Sequence, residues 1–350
     1  MRPLFICAAL MAMVCMGALG QGPQPAPNAV PAGDVVIGSG SFSPIVTDLE
    51  RSLKFYTDLV GSPAPATMPA WSTDPALLNF LGSPTSQIRF SSVRIPGSTL
   101  TVEIVEFKDI DRKPVQPRIQ DPGAVRLILI VRDLNALLAR LKTQGVPVVT
   151  VGGAPVTLAG SEPARAVMIK DPDGFFIELI QPNTLPDTNA PATSNAIGAR
   201  FGLTINDTDQ TVKVYREILG IQPKVDAAFA GDKPLLDLMN TPGAQTRRST
   251  ATIPGSAVQV EFLEFKGIDR KPIGARIQDP GAIRLQLRVR DSDATVKSLV
   301  AAGGTVVTTG GNGGTILMSG LRVAIVREPN NLFLVIMTQV PRPAPAAPTQ

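Results

Sequence analysis

Apolar and polar positions along this chain follow two alternating rhythms. From Phe42 to Thr47 the spacing is that of a short strand. In LERSLKFYTDLVG the residues Leu49, Leu53, Phe55, Tyr56 and Leu59 recur at helical intervals, which predicts an amphipathic helix capped by Asp48 and ended by Gly61. Strand-like runs follow at Ile88 to Ile95 and Leu100 to Phe107. The rhythm then restarts. Val125 to Val131 alternates as a strand, Asp133 caps a second helix, NALLARLKTQG, and strands are predicted at Val148 to Thr150, Ala166 to Lys170 and Phe175 to Gln181.

The whole pattern occurs twice. EFKDIDRKPVQPRIQDPGAVRL, from Glu106 to Leu127, returns as EFKGIDRKPIGARIQDPGAIRL from Glu264 to Leu285, with 17 of 22 positions identical at an offset of 158. A match of that length marks an internal duplication. Leu53-Lys54-Phe55-Tyr56 aligns with Val212-Lys213-Val214-Tyr215, and Ile95-Pro96-Gly97-Ser98 with Ile253-Pro254-Gly255-Ser256. The chain is therefore divided into a first copy at 35–182, a linker at 183–198 rich in Pro, Asn and Thr, and a second copy at 199–340. Each copy holds two strand-helix-strand-strand-strand modules, four in all. Arg112, Lys113, Arg118 and Asp121 in the repeated connection are expected to form structural ion pairs.

Composition narrows the chemistry. With 44% hydrophobic and 18% charged residues, 350 residues can supply a core for two domains. The net charge of +4 is spread among interleaved acids and bases, which argues against a nucleic-acid surface. Arg2, the apolar run Leu4 to Met16 and the small residues Ala18-Leu19-Gly20 read as a cleaved signal peptide at 1–20, implying a periplasmic or extracellular protein with no membrane attachment after cleavage. A Pro-rich spacer at 21–34 and a disordered tail at 341–350 flank the copies. Both cysteines, Cys7 and Cys15, lie in the leader, and the chain has no histidine. Zinc sites built on Cys and His, a Ser-His-Asp triad and histidine acid/base work are thereby excluded.

FSPIVTDLERSLKFYTDLVG resembles the opening strand and helix of the vicinal oxygen chelate (glyoxalase/bleomycin resistance/dioxygenase) superfamily. VRLILIVRDLNALLARLKTQGVPV resembles the start of its second module, and VMIKDPDGFFIELIQP its closing hairpin. The resemblance implies an α+β fold of paired βαβββ modules that form bowl-shaped mixed sheets, two tandem domains in all, with the domains pairing within the chain. It also implies metal ligands, usually His or Glu, at inward positions of the first, fourth, fifth and eighth strands. Those positions here are Ser41, Glu103, Arg126 and Glu178 in copy one, and Arg200, Glu261, Arg284 and Val335 in copy two.

A guanidinium offers no lone pair and repels a cation, so no metal and no other cofactor is expected. Arg126 is expected to occupy the metal's place, paired with Glu103 and Glu178. In copy two Arg284, Gln286 and Arg288 share a strand face, and Arg200 with Arg284 would form a fork for a carboxylate or phosphate, or would merely neutralise Glu261. Trp71, Phe80 and Phe90 mark a segment that forms either a lid or ordinary core. Three functions stay open: a metal-free binder of a small, anionic molecule; a metal-dependent lyase, isomerase or dioxygenase; and a non-catalytic structural or partner-binding module.

Overall fold

The computed structural model describes residues 31–160, 163–311 and 314–340. The predicted signal peptide, all but the last residues of the spacer, and the tail lie outside the described residues. Module one comprises β1 (Val36–Val46), α1 (Leu49–Val60), α2 (Pro75–Phe80), β2 (Gln87–Arg94) and β3 (Thr101–Lys108). Module two comprises β4 (Val125–Val131), α3 (Leu134–Thr143), β5 (Val156–Leu158), β6 (Ala164–Lys170) and β7 (Phe176–Pro182). Module three comprises β8 (Ala196–Ile205), α4 (Thr208–Glu217), β9 (Lys224–Val225), α5 (Lys233–Met239), β10 (Gln245–Thr252) and β11 (Gln259–Lys266). Module four comprises β12 (Ile283–Val289), α6 (Ser292–Ala301), β13 (Thr305–Val306), β14 (Ile316–Met318), β15 (Leu321–Arg327) and β16 (Phe333–Gln339).

Each module's first helix starts on an aspartate. Asp48, Asp133, Asp207 and Asp291 accept from the backbone N–H three residues on, which satisfies one donor that the helix leaves unpaired. Gly61 ends α1 at φ 72°, a left-handed conformation that suits glycine. The strand predicted at Val148 to Thr150 is instead a single bridge, Val148 to Ile169, and the second strand of that module forms later in the chain, at β5.

The modules pair crosswise. One mixed sheet of 8 strands runs β13-β15-β16-β12-β1-β3-β2, with β14 beside β15, and joins module four to module one. The other, also of 8, runs β5-β6-β7-β4-β8-β11-β10-β9 and joins module two to module three. We call the first the terminal bowl and the second the central bowl. Each junction is antiparallel: β1 with β12, and β4 with β8. Both repeats thus contribute to both bowls, and the sheets are curled half-barrels of paired modules; module one supplies three strands rather than the four expected, with only an isolated bridge from Ser72 to Ile88 ahead of β2.

Strand alternation sends Leu127, Leu129, Leu285 and Leu287 to the helix-covered faces, where they join one core with Leu53, Tyr56, Leu137 and Leu299. Phe42 of β1 meets Phe201 of β8 edge to face at 6.0 Å within that core, linking the two sheets. Separate apolar clusters fill part of each bowl. Leu77, Leu78 and Phe80 of α2 pack inside the terminal bowl on Ile45, Ile88 and Phe333, so that segment is core; Leu236, Leu238 and Met239 of α5 do the same in the central bowl. The cations of Arg89 and Lys108 lie over the ring of Trp71, at 4.7 and 4.5 Å from its centre.

The nearly identical repeated segments touch each other. Lys113 N donates to Asp279 Oδ1 at 2.9 Å, and Lys271 N to Asp121 Oδ1 at 2.9 Å. Val115 N donates to Pro280 O while Ile273 N donates to Pro122 O, and Arg118 reaches Asp269 while Arg276 reaches Asp111. The contacts are reciprocal, like those of an isologous interface, although both partners belong to one chain. Of the expected ion pairs, Arg118 with Asp121 forms; Arg112 donates to Val46 O instead, and Lys113 acts through its backbone N–H. Replacing Asp121 or Asp279 by Ala leaves two backbone N–H groups and an arginine without their acceptor, and is expected to lower stability by about 1–3 kcal/mol in denaturant titrations. Unchanged midpoints would remove the clasp from the stabilising contacts.

The closing hairpin of each copy locks its two modules together across the two sheets. Asp173 accepts from Thr47 N at 2.9 Å and from Ser52 Oγ at 3.0 Å at the start of α1, and Asn330 accepts from Asn206 N at 3.0 Å before α4. Beside them Asp171 and Glu328 are buried, and burial pushes each carboxyl up to about 7 despite the backbone N–H groups that favour the anion. Tyr56 Oη donates to Asp171 at 2.9 Å. An acid whose folded value exceeds its unfolded value holds a proton that the unfolded chain releases. Its stabilising contribution is complete below the unfolded value near 4 and lost as pH rises through about 7. Melting temperature should therefore fall between pH 5 and pH 8, and Asp171→Asn with Glu328→Gln should flatten that slope; an equal slope in the variant would refute the assignment.

Candidate functional site

The central junction builds a charged floor. Register places Arg126 of β4 opposite Gly202 of β8, which in turn faces Glu261 of β11; Ile128 stands between Glu178 of β7 and Arg200 of β8. Arg126 is fully buried. Its Nε donates to Glu178 Oε2 at 3.0 Å, and its Nη2 donates to Glu261 Oε1 in a short contact. Its Nη1 has no hydrogen-bond partner among the described residues. Burial pulls this guanidinium down from its ordinary value while Glu178 pushes it back up, and it remains a cation at physiological pH. The side chain can lie flat across β8 because Gly202 has none: a Cβ there would sit 2.6 Å from Arg126 Cγ.

The terminal junction repeats the arrangement with different groups. Arg284 of β12 stands opposite Ser43 of β1. Glu103 Oε2 accepts from Arg284 Nη2 at 3.2 Å, Gln286 Nε2 at 2.8 Å and Ser43 Oγ at 2.9 Å. Ser41 bonds Thr101 at 2.9 Å, Arg288 Nη2 donates to Ser39 O at 3.4 Å, and Val335 is buried at the eighth-strand position.

Two expectations need correction. Arg126 does not meet Glu103, and Arg200 does not meet Arg284, because crosswise pairing puts each of those residues in the opposite bowl. Arg126, Glu178, Arg200 and Glu261 come together in the central bowl; Ser41, Glu103, Arg284 and Arg288 belong to the terminal one. Each acid still finds an arginine, supplied by the other repeat for Glu261 and Glu103. Ser43 and Arg248 are site residues that the sequence reading did not select. Ser43 shares a strand face with Ser41 at period two, and Arg248 shares one with Thr246, Thr250 and Thr252 in QTRRSTAT, a signal masked by the adjacent Arg247.

Above the central floor lies a cleft of about 390 Å³. Glu178, Glu261, Arg200 and Arg248 line it with the apolar side chains of Ile128, Ile180, Leu158 and Leu235. Among the described residues Arg248 lies 3.5 Å from Glu261 and 3.9 Å from Asp226, so charges of both signs meet at the cleft wall. The volume is within the range of small-molecule pockets, roughly 300–1,000 Å³.

A divalent cation does not fit this donor set. At the fifth-strand position of each bowl stands a buried guanidinium, already bonded to the carboxylates that would otherwise be ligands. Among the described residues no three His, Cys, Asp or Glu side chains converge.

A family model described as Glyoxalase/Bleomycin resistance protein/Dioxygenase superfamily matches residues 40–179 and 199–334. Glyoxalase I from Zea mays is similar in structure, with a TM-score of 0.52 and 15% identity over 87% of this chain and 92% of that one. A putative dioxygenase from Bacillus subtilis subsp. subtilis str. 168 gives a TM-score of 0.52 and 14% identity over 87% of this chain and 86% of that one. These likenesses concern the fold. No curated protein matches the chain in sequence.

Removing one partner of a buried ion network leaves the others uncompensated. Arg126→Ala is expected to destabilise the protein by about 3–5 kcal/mol in equilibrium unfolding, whereas Arg126→Leu combined with Glu178→Gln and Glu261→Gln should recover most of the loss. A single variant as stable as the parent would contradict the network.

Proposed function

The chain belongs to the Glyoxalase/Bleomycin resistance protein/Dioxygenase superfamily, and on that premise we propose that it is an exported, metal-free member that binds a small anionic molecule in its central bowl. The observation that carries this reading is Arg126, which lies buried between Glu178 and Glu261 where family enzymes would place a cation. The guanidinium supplies a fixed positive charge without open coordination positions, so the bowl is suited to holding a ligand rather than to polarising one. Arg200 and Arg248 add positive charge at the cleft wall, and four aliphatic side chains offer apolar contact. A general base is disfavoured on the same grounds, because Glu178 and Glu261 already accept hydrogen bonds from Arg126.

Export rests on the leader-like segment Arg2 to Gly20 and on the confinement of both cysteines to it, which leaves the remainder without a thiol to oxidise. The protein would work in the periplasm or outside the cell.

The test is elemental analysis of the native protein together with a thermal-shift screen of small organic anions. The expected result is no stoichiometric metal, melting curves indifferent to chelator, and a rise of several degrees with a matched anion, since ligand at 100 times its Kd contributes about 2.7 kcal/mol. Arg200→Ser, which installs the residue found at the corresponding terminal-bowl position, should reduce that rise. Stoichiometric zinc, iron or manganese, with an activity abolished by chelation, would overturn the reading.

A further inference from the structure

Resting on the central-bowl reading, we propose that the ligand has two chemically distinct ends, one apolar and one bearing several neutral hydroxyls, and that Thr250 and Gln259 recognise the hydroxyls. The two repeats line the cleft differently. Module two supplies the aliphatic side chains of Ile128, Leu158 and Ile180. Module three adds Leu235 and Ala251, but also Thr250 and Thr252 of β10, Gln259 of β11 and Gln222 ahead of β9. Thr252 stands opposite Gln259 and Thr250 opposite Glu261, so the hydroxyls and the amide are neighbours on one pair of strands. Ile128 and Ile180 stand on β4 and β7, on the other side of β8. A molecule lying across the bowl therefore meets apolar surface at one end and hydrogen-bonding groups at the other.

The polar end is uncommitted. The side chains of Thr250, Thr252, Gln259 and Gln222 make no hydrogen bond to another described residue, whereas Glu178 and Glu261 between the two ends already accept from Arg126. Thr250 and Gln259 are half-buried in the wall, so their polar groups face the cleft rather than open solvent. A hydroxyl and a primary amide each donate and accept. The ligand group that answers both roles through one atom is another hydroxyl; a carboxylate serves only the donors, and an ammonium only the acceptors.

The duplication provides an internal control. Aligning β3 with β11 puts Thr101 at the position of Gln259, and aligning the segments after α1 and α4 puts Pro63 at that of Gln222. Thr101 is already bonded to Ser41 at 2.9 Å, and Pro63 has no side-chain donor. Phe90, on the strand equivalent to β10, packs against the apolar cluster that fills the terminal bowl. The terminal bowl thus closes these positions on itself, while the central bowl turns them toward an open volume. One such site per chain follows.

Calorimetric titration of the full chain with phenyl glucuronide, glucuronate, phenylpropionate and phenyl glucoside removes the apolar end, the hydroxyls and the anion in turn. Phenyl glucuronide should bind at one site per chain, about tenfold more tightly than glucuronate or phenylpropionate. Thr250→Val and Gln259→Met keep the size of each side chain and remove its hydrogen-bonding group. Each should weaken phenyl glucuronide about fivefold, the worth of one neutral hydrogen bond, and leave phenylpropionate unchanged. Ile180→Ser should weaken both phenyl acids and leave glucuronate unchanged. Phenylpropionate matching phenyl glucuronide, or both polar variants binding phenyl glucuronide like the parent, would overturn the hydroxyl end while leaving a bowl that binds an anion. Glucuronate matching phenyl glucuronide would overturn the apolar end, and two sites per chain would overturn the division between bowls. Phenyl glucoside reads the underlying premise separately: binding equal to that of phenyl glucuronide would remove the anion preference of the central bowl and keep the hydroxyl end. If no probe binds, this proposal fails, and the anion screen and metal analysis decide the central-bowl reading independently.

Discussion

An unpaired strand edge has to find a partner, and in this protein the partner always comes from the other repeat. The first strand of a βαβββ module exposes a row of backbone N–H and C=O groups that cannot be buried unsatisfied. β1 gives its row to β12 and β4 gives its row to β8, so the two sheets close only when both repeats are folded. Everything specific to the site follows from that exchange. Glu261 reaches Arg126, and Glu103 reaches Arg284, across junctions that separate them by more than a hundred residues of sequence.

Within that frame the two bowls have taken different courses from one ancestor. Both carry an arginine on the junction strand of the second module of a repeat, and both bring to it a carboxylate from the strand beside the junction. The central bowl has a second carboxylate, Glu178, with Arg200 and Arg248 around an open volume; the terminal bowl carries Val335, Ser41 and Phe90 at the corresponding positions. Glycine on one junction strand makes room for a long side chain from the other in both: Gly202 for Arg126, and Gly40 for Gln286, to which a Cβ would come within 2.6 Å.

Much of this was legible in the sequence for local reasons. The four capping aspartates, the alternation in Val125 to Val131 and the repeated connection each encode short-range geometry, and the corresponding elements stand where the pattern put them. The strand positions of Glu103, Arg126, Glu178, Glu261 and Arg284 were also readable, because period-two alternation fixes which side chains enter a bowl. Their partners were not. Any module edge offers the same backbone groups, so no residue of β1 announces that it will bond β12 rather than β4. That choice depends on where the connections after β3 and β11 carry the chain, and those connections clasp each other across the two repeats. Arg248 was obscured for a different reason: two consecutive arginines point to opposite faces of a strand, and only the fold tells which is inside.

Crosswise assembly also governs how such a protein can change over time. Divided in the connection between Pro182 and Ala196, the chain would give two segments, each carrying two half-shells and no complete cavity of its own. A repeat on its own would need a second pair of modules to complete a cavity, and loss of one repeat would leave the junction edges of the other without their present partners. The repeats are thus bound to a common fate even as their interiors diverge.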